Sequence, residues 1–365
     1  MQQELAETGG ENARRGALAW MAADVPVYAA GFALFAACLV LFAAYGVPAI
    51  GPELILHNGR LYMLGAWTLL IVDSGWLLWK HRPAAPTRFL IDIYRARLMQ
   101  PRVLAGLPVL ALVIAFMPFF SKLKSMIPLF NTFHWDATFI ASDRAIFFGH
   151  DAWQVLQPVL GYPLVTAFLA VLYHAWMLLI YVGTMVMLFY KVAAPVRRHY
   201  LLGFFLIWTL IGGMLAIVFA SVGPCFMEPI MGDPHFAAQM AYLESANEQV
   251  PILTLNVQEL LLGWYREGAR GLGSGITAMP SMHVSMAMLF WLAVRRVSPW
   301  AGKVFGAFFA VIWVASVHLA YHYAVDGLVS VIATFAIWKF AGWTLARWDT
   351  WLDQAAFRTN TVPAE

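Results

Sequence analysis

The sequence predicts an all-α fold: a polytopic membrane bundle of about eight transmembrane helices. Three observations predict it. Of 365 residues, 61% are hydrophobic and only 12% charged, against roughly 45–50% and about 25% in ordinary soluble domains. The apolar residues gather into eight runs, roughly 26–48, 61–79, 103–120, 163–190, 200–221, 282–297, 303–321 and 325–346, most of them near the ~20 residues that cross a bilayer core. Lys and Arg favour alternate connections between these runs, which is the pattern that orients helices in a membrane. The same composition excludes other classes. A net charge of +3 with no basic cluster does not fit a nucleic-acid binder, and so apolar a chain is not disordered. Two cysteines, Cys38 and Cys225, form neither a metal cluster nor a disulfide framework and read as packing residues.

Taken in order, residues 1–17 are a polar N-terminus carrying Glu4, Glu7, Glu11, Arg14 and Arg15, with no secretory cleavage pattern, so the first span is expected to be retained. Residues 18–120 hold the first three spans. Between the second and third, Thr87–Arg102 places Phe89, Leu90, Ile93 and Leu98 near one helical face, with Asp92, Arg95 and Arg97 elsewhere. That pattern predicts an amphipathic helix lying in the inner interface. With the N-terminus in the cytoplasm, the basic residues on the outer side are Arg60, Lys122, Lys124, Arg144, Arg266 and Arg270, and all the others face inward. Both termini, including the tail 348–365, are therefore expected inside. Two long outer segments, 121–162 and 222–280, are too rich in Trp, Leu and Phe to be disordered and are expected to form short helices. Residues 163–347 hold the remaining spans. No fixed-period repeat runs through the chain.

Ionisable residues near spans are costly unless paired or functional. The stretch Ala278–Ala287, AMPSMHVSMA, follows a glycine-rich run and opens an apolar span. Ser281 is a natural N-cap there, and the helix start presents free N–H groups and a positive dipole end suited to a phosphate. His283, in the same first turn, is placed to hand a proton to a leaving group. The stretch Ser316–Leu328, SVHLAYHYAVDGL, sets His322 and Asp326 four apart, on one helical face. A carboxylate on one ring nitrogen fixes the tautomer and raises the basicity of the other, so His322 is a candidate for attack on phosphorus. The predicted topology returns both motifs to the outer end of a single helical hairpin.

PSMH followed by HYAVDG resembles the type 2 phosphatidic acid phosphatase superfamily, and in particular the branch of inositol phosphorylceramide and sphingomyelin synthases. The resemblance implies a six-helix core within the bundle, about 163–346. It implies His322 as nucleophile, Asp326 as the group that orients it, His283 as general acid and Ser281 at the phosphate. It further implies membrane lipids as partners, no cofactor, and a site on the non-cytoplasmic face. Two departures stand out. The third motif's Ser and Arg fall at Ala315 and Ser316, and SVGPCFMEPIMGDP, where a first motif would lie, has no Lys or Arg.

A phosphoryl transition state concentrates negative charge, so another cation is expected to serve. Arg266 and Arg270 are favoured because they lie just upstream of PSMH; Lys122, Lys124 and Arg144 are the other outer-face cations, the two lysines being further substrate-binding candidates. Loss of the basic motifs tilts the expectation from a hydrolase towards a head-group transferase acting between a phospholipid and a lipid alcohol, with a metal-independent lipid phosphatase as the alternative. A transporter or an inactive scaffold is the rival of another class, and a two-His, one-Asp metal triad ranks lower. His318 is expected to support His322 or to be a satisfied buried residue. Asp136 and Asp143 are candidates for holding a polyol headgroup or for capping helices, and mid-span Asp73 and His174 for pairing with each other or with other groups.

Overall fold

A computed structural model of the chain describes residues 14–48, 50–190, 192–268 and 271–361, with side chains as far as 355. The described residues are helical, with no strand. Following a helix over 14–23, the chain forms α1 (Val25–Ala44), α2 (Pro52–His81), α3 (Pro86–Leu98) and α4 (Pro101–Ser125). Next come α5 (Asp136–Ile146), α6 (Ala152–Leu160), α7 (Pro163–Phe189) and α8 (Ala194–Val218). The remainder are α9 (Ala237–Gln249), α10 (Leu253–Glu267), α11 (Met282–Val294), α12 (Pro299–His318) and α13 (Ala324–Thr361). Pro occupies the first turn of α1–α4, α7, α8 and α12, where its missing N–H would have had no partner anyway and its fixed φ favours the helix.

Among the described residues, seven helices are long and apolar enough to cross a membrane: α1, α2, α4, α7, α8, α12 and the first part of α13. The protein is an integral, multi-pass membrane protein. The expected eighth span, 282–297, is helical only over Met282–Val294, which at 1.5 Å per residue extends about 20 Å and falls short of a ~30 Å core. Arg295 and Arg296 end the run, and the chain turns at once into α12.

α4 and α8 are the most enclosed spans, with 56% and 61% of their apolar windows buried, whereas α2 has 17% buried. The bundle therefore centres on α4 and α8. Leu56, Trp67, Ile71 and Trp79 of α2 are exposed, as suits a lipid-facing helix. Half-buried Asp73 is paired with Arg97 of α3 and accepts from Tyr94 at 2.8 Å, so the amphipathic helix is tied to α2. His174 satisfies itself on the Ala170 carbonyl at 2.7 Å, and the two residues do not pair.

At the end of the bundle opposite the motif residues, Arg197 donates to both oxygens of buried Asp24, at 2.9 and 2.7 Å, and Arg198 to Asp349 at 2.8 Å. These pairs join α8 to the start of α1 and to α13. The two long segments form helices as their composition predicts, α5 and α6 from the first and α9 and α10 from the second.

Candidate active site

Ser281 caps α11, its Oγ accepting the Val284 N–H at 3.4 Å, and Ser298 caps α12 in the same way. The resulting antiparallel hairpin returns the end of α12 to the start of α11. Beyond His318 the chain reverses: the Tyr321 and His322 N–H groups both donate to the Ser316 carbonyl at 3.1 Å, and Ala320 is held at φ 60°. A non-glycine residue in that region stores of order 1 kcal/mol, which its surroundings must offset. α13 then starts at Ala324, so Asp326 lies in its first turn.

Fully buried Asp326 accepts at Oδ2 from His322 Nδ1 and from the Tyr323 N–H, each at 3.1 Å. An ionised carboxylate only accepts, so Nδ1 carries the proton and Nε2 keeps its lone pair. His322 is 7% exposed. The His283 ring meets it edge to face, centroids 6.1 Å apart. Tyr173 stacks on His283 at 4.1 Å and 16°, and Trp176 lies 4.1 Å away at 31°. The three motif residues are thus gathered at one point, with two aromatics of α7 fixing the plane of His283. Tyr173 and Trp176 were not legible as site residues, because in a span with this much aromatic content only their position beside His174 sets them apart.

The loop around this point is built from the outer segments. Asp136, 1% exposed, accepts the N–H groups of Val222 and Gly223 at 3.1 and 3.0 Å and the Tyr323 hydroxyl at 2.7 Å. Burial, with the Asp136 carboxylate next, pushes the Tyr323 phenol well up and keeps it a neutral donor. Asp143 accepts the first two N–H groups of α13, Ala324 at 2.8 Å and Val325 at 2.9 Å, a cap supplied from a distant helix. Burial raises the Asp143 carboxyl, against the opposing pull of those two N–H groups. These contacts match the capping alternative that the sequence offered for Asp136 and Asp143, both carboxylates accepting protein donors. Gly223, at φ 86°, leaves no room for a side chain, since a Cβ would lie 2.8 Å from the Tyr321 carbonyl oxygen and 2.9 Å from the Ala278 Cβ. Ser221 accepts the Met279 N–H at its hydroxyl and the Ala278 N–H at its carbonyl. The turn at 221–223 therefore clamps the two motif loops together without contributing charge.

The end of α12 is capped by outer-segment amides that sequence reading passed over. Gln239 donates to the Val317 and His318 carbonyls, and Gln258 to the Leu319 carbonyl at 2.9 Å. His318 is 1% exposed and shares the Thr166 hydroxyl, 2.9 Å from its Nε2, with Tyr242. It secures α12 to α7 and does not touch His322 through any hydrogen bond among the described residues.

The candidate cations are placed very differently. Arg266 is exposed at the end of α10, and Arg270 lies outside the described residues. Lys122 donates to the Pro48 carbonyl and sits over the Phe42 ring. Arg144 pairs with Asp151, which also bonds His235. Half-buried Lys124 comes closest to the chemistry. The glycine-rich run before PSMH rests on it, a Cβ at Gly275 falling 2.7 Å from the Lys124 carbonyl, and Gly273 donates to Ser121 one turn earlier. Lys124 has no ion-pair partner among the described residues.

His322 opens on a cleft of about 10 Å³ lined also by Asp143, Asp151, Trp153, Pro224, Phe236 and Tyr323, room for about one water. Fold and site together define a multi-pass membrane protein with an oriented histidine and a second histidine facing it. A family model described as the PAP2 superfamily matches residues 137–340, more than half of the chain and all three motif residues. The chain belongs to the PAP2 superfamily and is an enzyme of its phosphatase or phosphotransferase type, acting on lipids. No curated protein and no solved structure matches it.

Proposed function

We propose that the protein transfers a phosphoryl head group from a phospholipid to a lipid alcohol of the ceramide or diacylglycerol type, through a phosphohistidine on His322. The observation that carries this reading is the His322–Asp326 bond with His283 facing it at 6.1 Å. Nε2 of His322 attacks phosphorus, and the bond from phosphorus to the glycerol oxygen of the donor breaks. That oxygen takes a proton from His283 and leaves as diacylglycerol. The acceptor hydroxyl then attacks phosphorus, returns its proton to His283, and the phosphorus–nitrogen bond breaks. Lys124 offsets the charge on the equatorial oxygens, replacing the absent basic motifs. Ser281 caps α11 through its oxygen and keeps its O–H to donate to the phosphate, beside the backbone N–H groups at the start of α11.

Release of phosphate to water is the alternative for the same intermediate. The family match supports residues 163–347 as the core of the catalytic unit, joined by the outer helix α5. The distribution of Lys and Arg supports cytoplasmic termini and an extracytoplasmic site.

Purified protein and His322→Ala are to be compared on radiolabelled phospholipids with and without ceramide or diacylglycerol. A labelled lipid product that requires the acceptor and disappears in the variant is the expected result. Inorganic phosphate, or the phosphate ester of the headgroup, released without any acceptor would make the protein a hydrolase. Activity abolished by EDTA and restored by zinc or manganese would overturn the metal-free scheme.

A further inference from the structure

The hairpin of α5 and α6 has two unlike sides. One side walls the His322 cleft through Ile140, Asp143, Asp151, Ala152 and Trp153, with α5 packed on the start of α13 and α6 on α12. The far side is apolar and uncovered. Val155 and Val159, one turn apart on α6, are exposed, and so are Ile146 and Phe148 at the turn between the helices. Phe148 is 94% exposed and held at φ 54°, a left-handed backbone that a bulky residue rarely adopts. Charge is sorted in the opposite sense. The hairpin's three carboxylates, Asp136, Asp143 and Asp151, are all buried, so none of them faces out. Helix α9, at the same end of the bundle, is the contrast: it exposes Glu244 and Glu248 and no large apolar side chain.

The uncovered side continues into faces that lie against lipid. α6 leads through Gly161 and Tyr162 directly into the span α7, which exposes Leu164 and Phe168 near its start. α13 exposes Leu328 and Ile332 just past Asp326. Tyr162 is itself exposed at the junction of α6 and α7, and Tyr is enriched where a span meets the membrane–water boundary. The hairpin therefore joins two lipid-facing stripes at the His322 end of the bundle.

We propose that the far side of the α5–α6 hairpin docks on the acyl chains of the leaflet at the His322 end, with Phe148 as an inserted wedge. An apolar face free of negative charge suits a phospholipid surface, and lipid around the ring accounts for a phenyl group held out on a rare backbone. Docking fixes one wall of the cleft at the level of the headgroups, where the phosphorus of a bilayer-embedded donor lies. A dissolved ester needs no such alignment. The link to turnover rests on the phosphoryl transfer proposed above, whereas the docking itself does not.

Cys38 and Cys225 are buried, so a cysteine placed on the surface of the full chain can carry an NBD fluorophore, with unsubstituted protein as the labelling control. Phe148→Cys, Val159→Cys and Glu248→Cys are compared in phosphatidylcholine nanodiscs with and without lipid spin-labelled at an upper carbon of the acyl chain. The labels at 148 and 159 are expected to be quenched by the spin-labelled lipid, and to be about fivefold less accessible to aqueous iodide than the label at 248. Equal iodide access at all three sites, or equal quenching by lipid at all three, would overturn the proposal. Protection from iodide without quenching by lipid would overturn it too, by placing a second copy of the chain on this face. In a second readout, Phe148→Asp is expected to raise KM for phospholipid in the bilayer about tenfold, and to leave kcat/KM for a short-chain, fully dissolved phospholipid unchanged. Equal loss on both substrates, or none on either, would overturn the link between docking and the cleft. A wild type that acts on neither substrate would sink the transfer reading, and the labels alone would then decide the docking.

Discussion

His283 and His322 face each other edge to face, ring centroids 6.1 Å apart, from the start of one helix of a hairpin and the loop that follows the other. His322 has its Nδ1 committed to Asp326, and His283 has both ring faces covered by Tyr173 and Trp176. The two imidazoles are therefore held in unequal surroundings, one oriented by a carboxylate and the other by aromatic faces. That inequality is the basis for giving them different roles.

If Asp326 orients His322, Asp326→Asn should lower kcat by about 10³–10⁴-fold with little change in KM, because the amide can turn its NH₂ towards the ring and favour the wrong tautomer. Protein labelled from radioactive donor and quenched in alkaline detergent, where the phosphorus–nitrogen bond survives, should carry phosphohistidine in the wild type and none in His322→Ala. Label retained in that variant would place the nucleophile elsewhere.

Loss of the leaving-group proton should be repairable. His283→Gln is expected to reduce turnover of natural phospholipid by about 10²–10⁴-fold, yet to recover most of its rate on an ester whose leaving group is p-nitrophenolate, which departs without a proton. Equal loss on both substrates would assign His283 to binding or to packing against Tyr173.

Lys124 is expected to supply transition-state charge. Lys124→Met should cost about 10²-fold in kcat, Lys124→Arg should retain more of the rate, and Arg266→Ala should leave it unchanged, since Arg266 is exposed at the end of α10. Steady-state kinetics on the three variants decides the matter, and a larger loss at Arg266 would reverse the assignment.

Asp143 joins stability to pH. Removing this cap, Asp143→Ala, should cost about 1–2 kcal/mol and lower Tm. Because burial raises its carboxyl in the folded protein above the ordinary 3.8, the folded state holds the proton more tightly than the unfolded chain. Its linkage contribution is then full below 3.8 and is lost as pH rises through the raised value. Measured as Tm against pH, Asp143→Asn should gain on the wild type across that window; a difference constant with pH would show that the carboxyl is not shifted.

Much of the architecture was legible in residue order alone. Helix is the only way to satisfy backbone groups over runs so apolar, short of a closed barrel, so composition already selects the bundle. Ser281 announces the start of α11 because a cap is a local interaction. His322 and Asp326 do pair, but not from one helical face as their spacing suggests: His322 lies in the turn before α13, and that turn brings it back to Asp326. The eighth span was overestimated because hydropathy ignores where a helix ends, and Arg295 and Arg296 end this one after thirteen residues.

The sequence by itself determined the class, the helices and the residues that can carry phosphoryl chemistry, since each depends on neighbours within about one turn. Only the tertiary structure decided which groups are spent and which remain. Asp136 and Asp143 have the same chemistry as a headgroup-binding carboxylate, and packing delivers to them the backbone N–H groups of Val222, Gly223, Ala324 and Val325 and the Tyr323 hydroxyl. Arg266 is nearer to His283 along the chain than Lys124 is, yet α10 turns it outward while the glycine-rich run lies back over the end of α4. Capping and helix formation act through contacts local in sequence, whereas charge placement and cavity lining act through space, and proximity in space is set by packing.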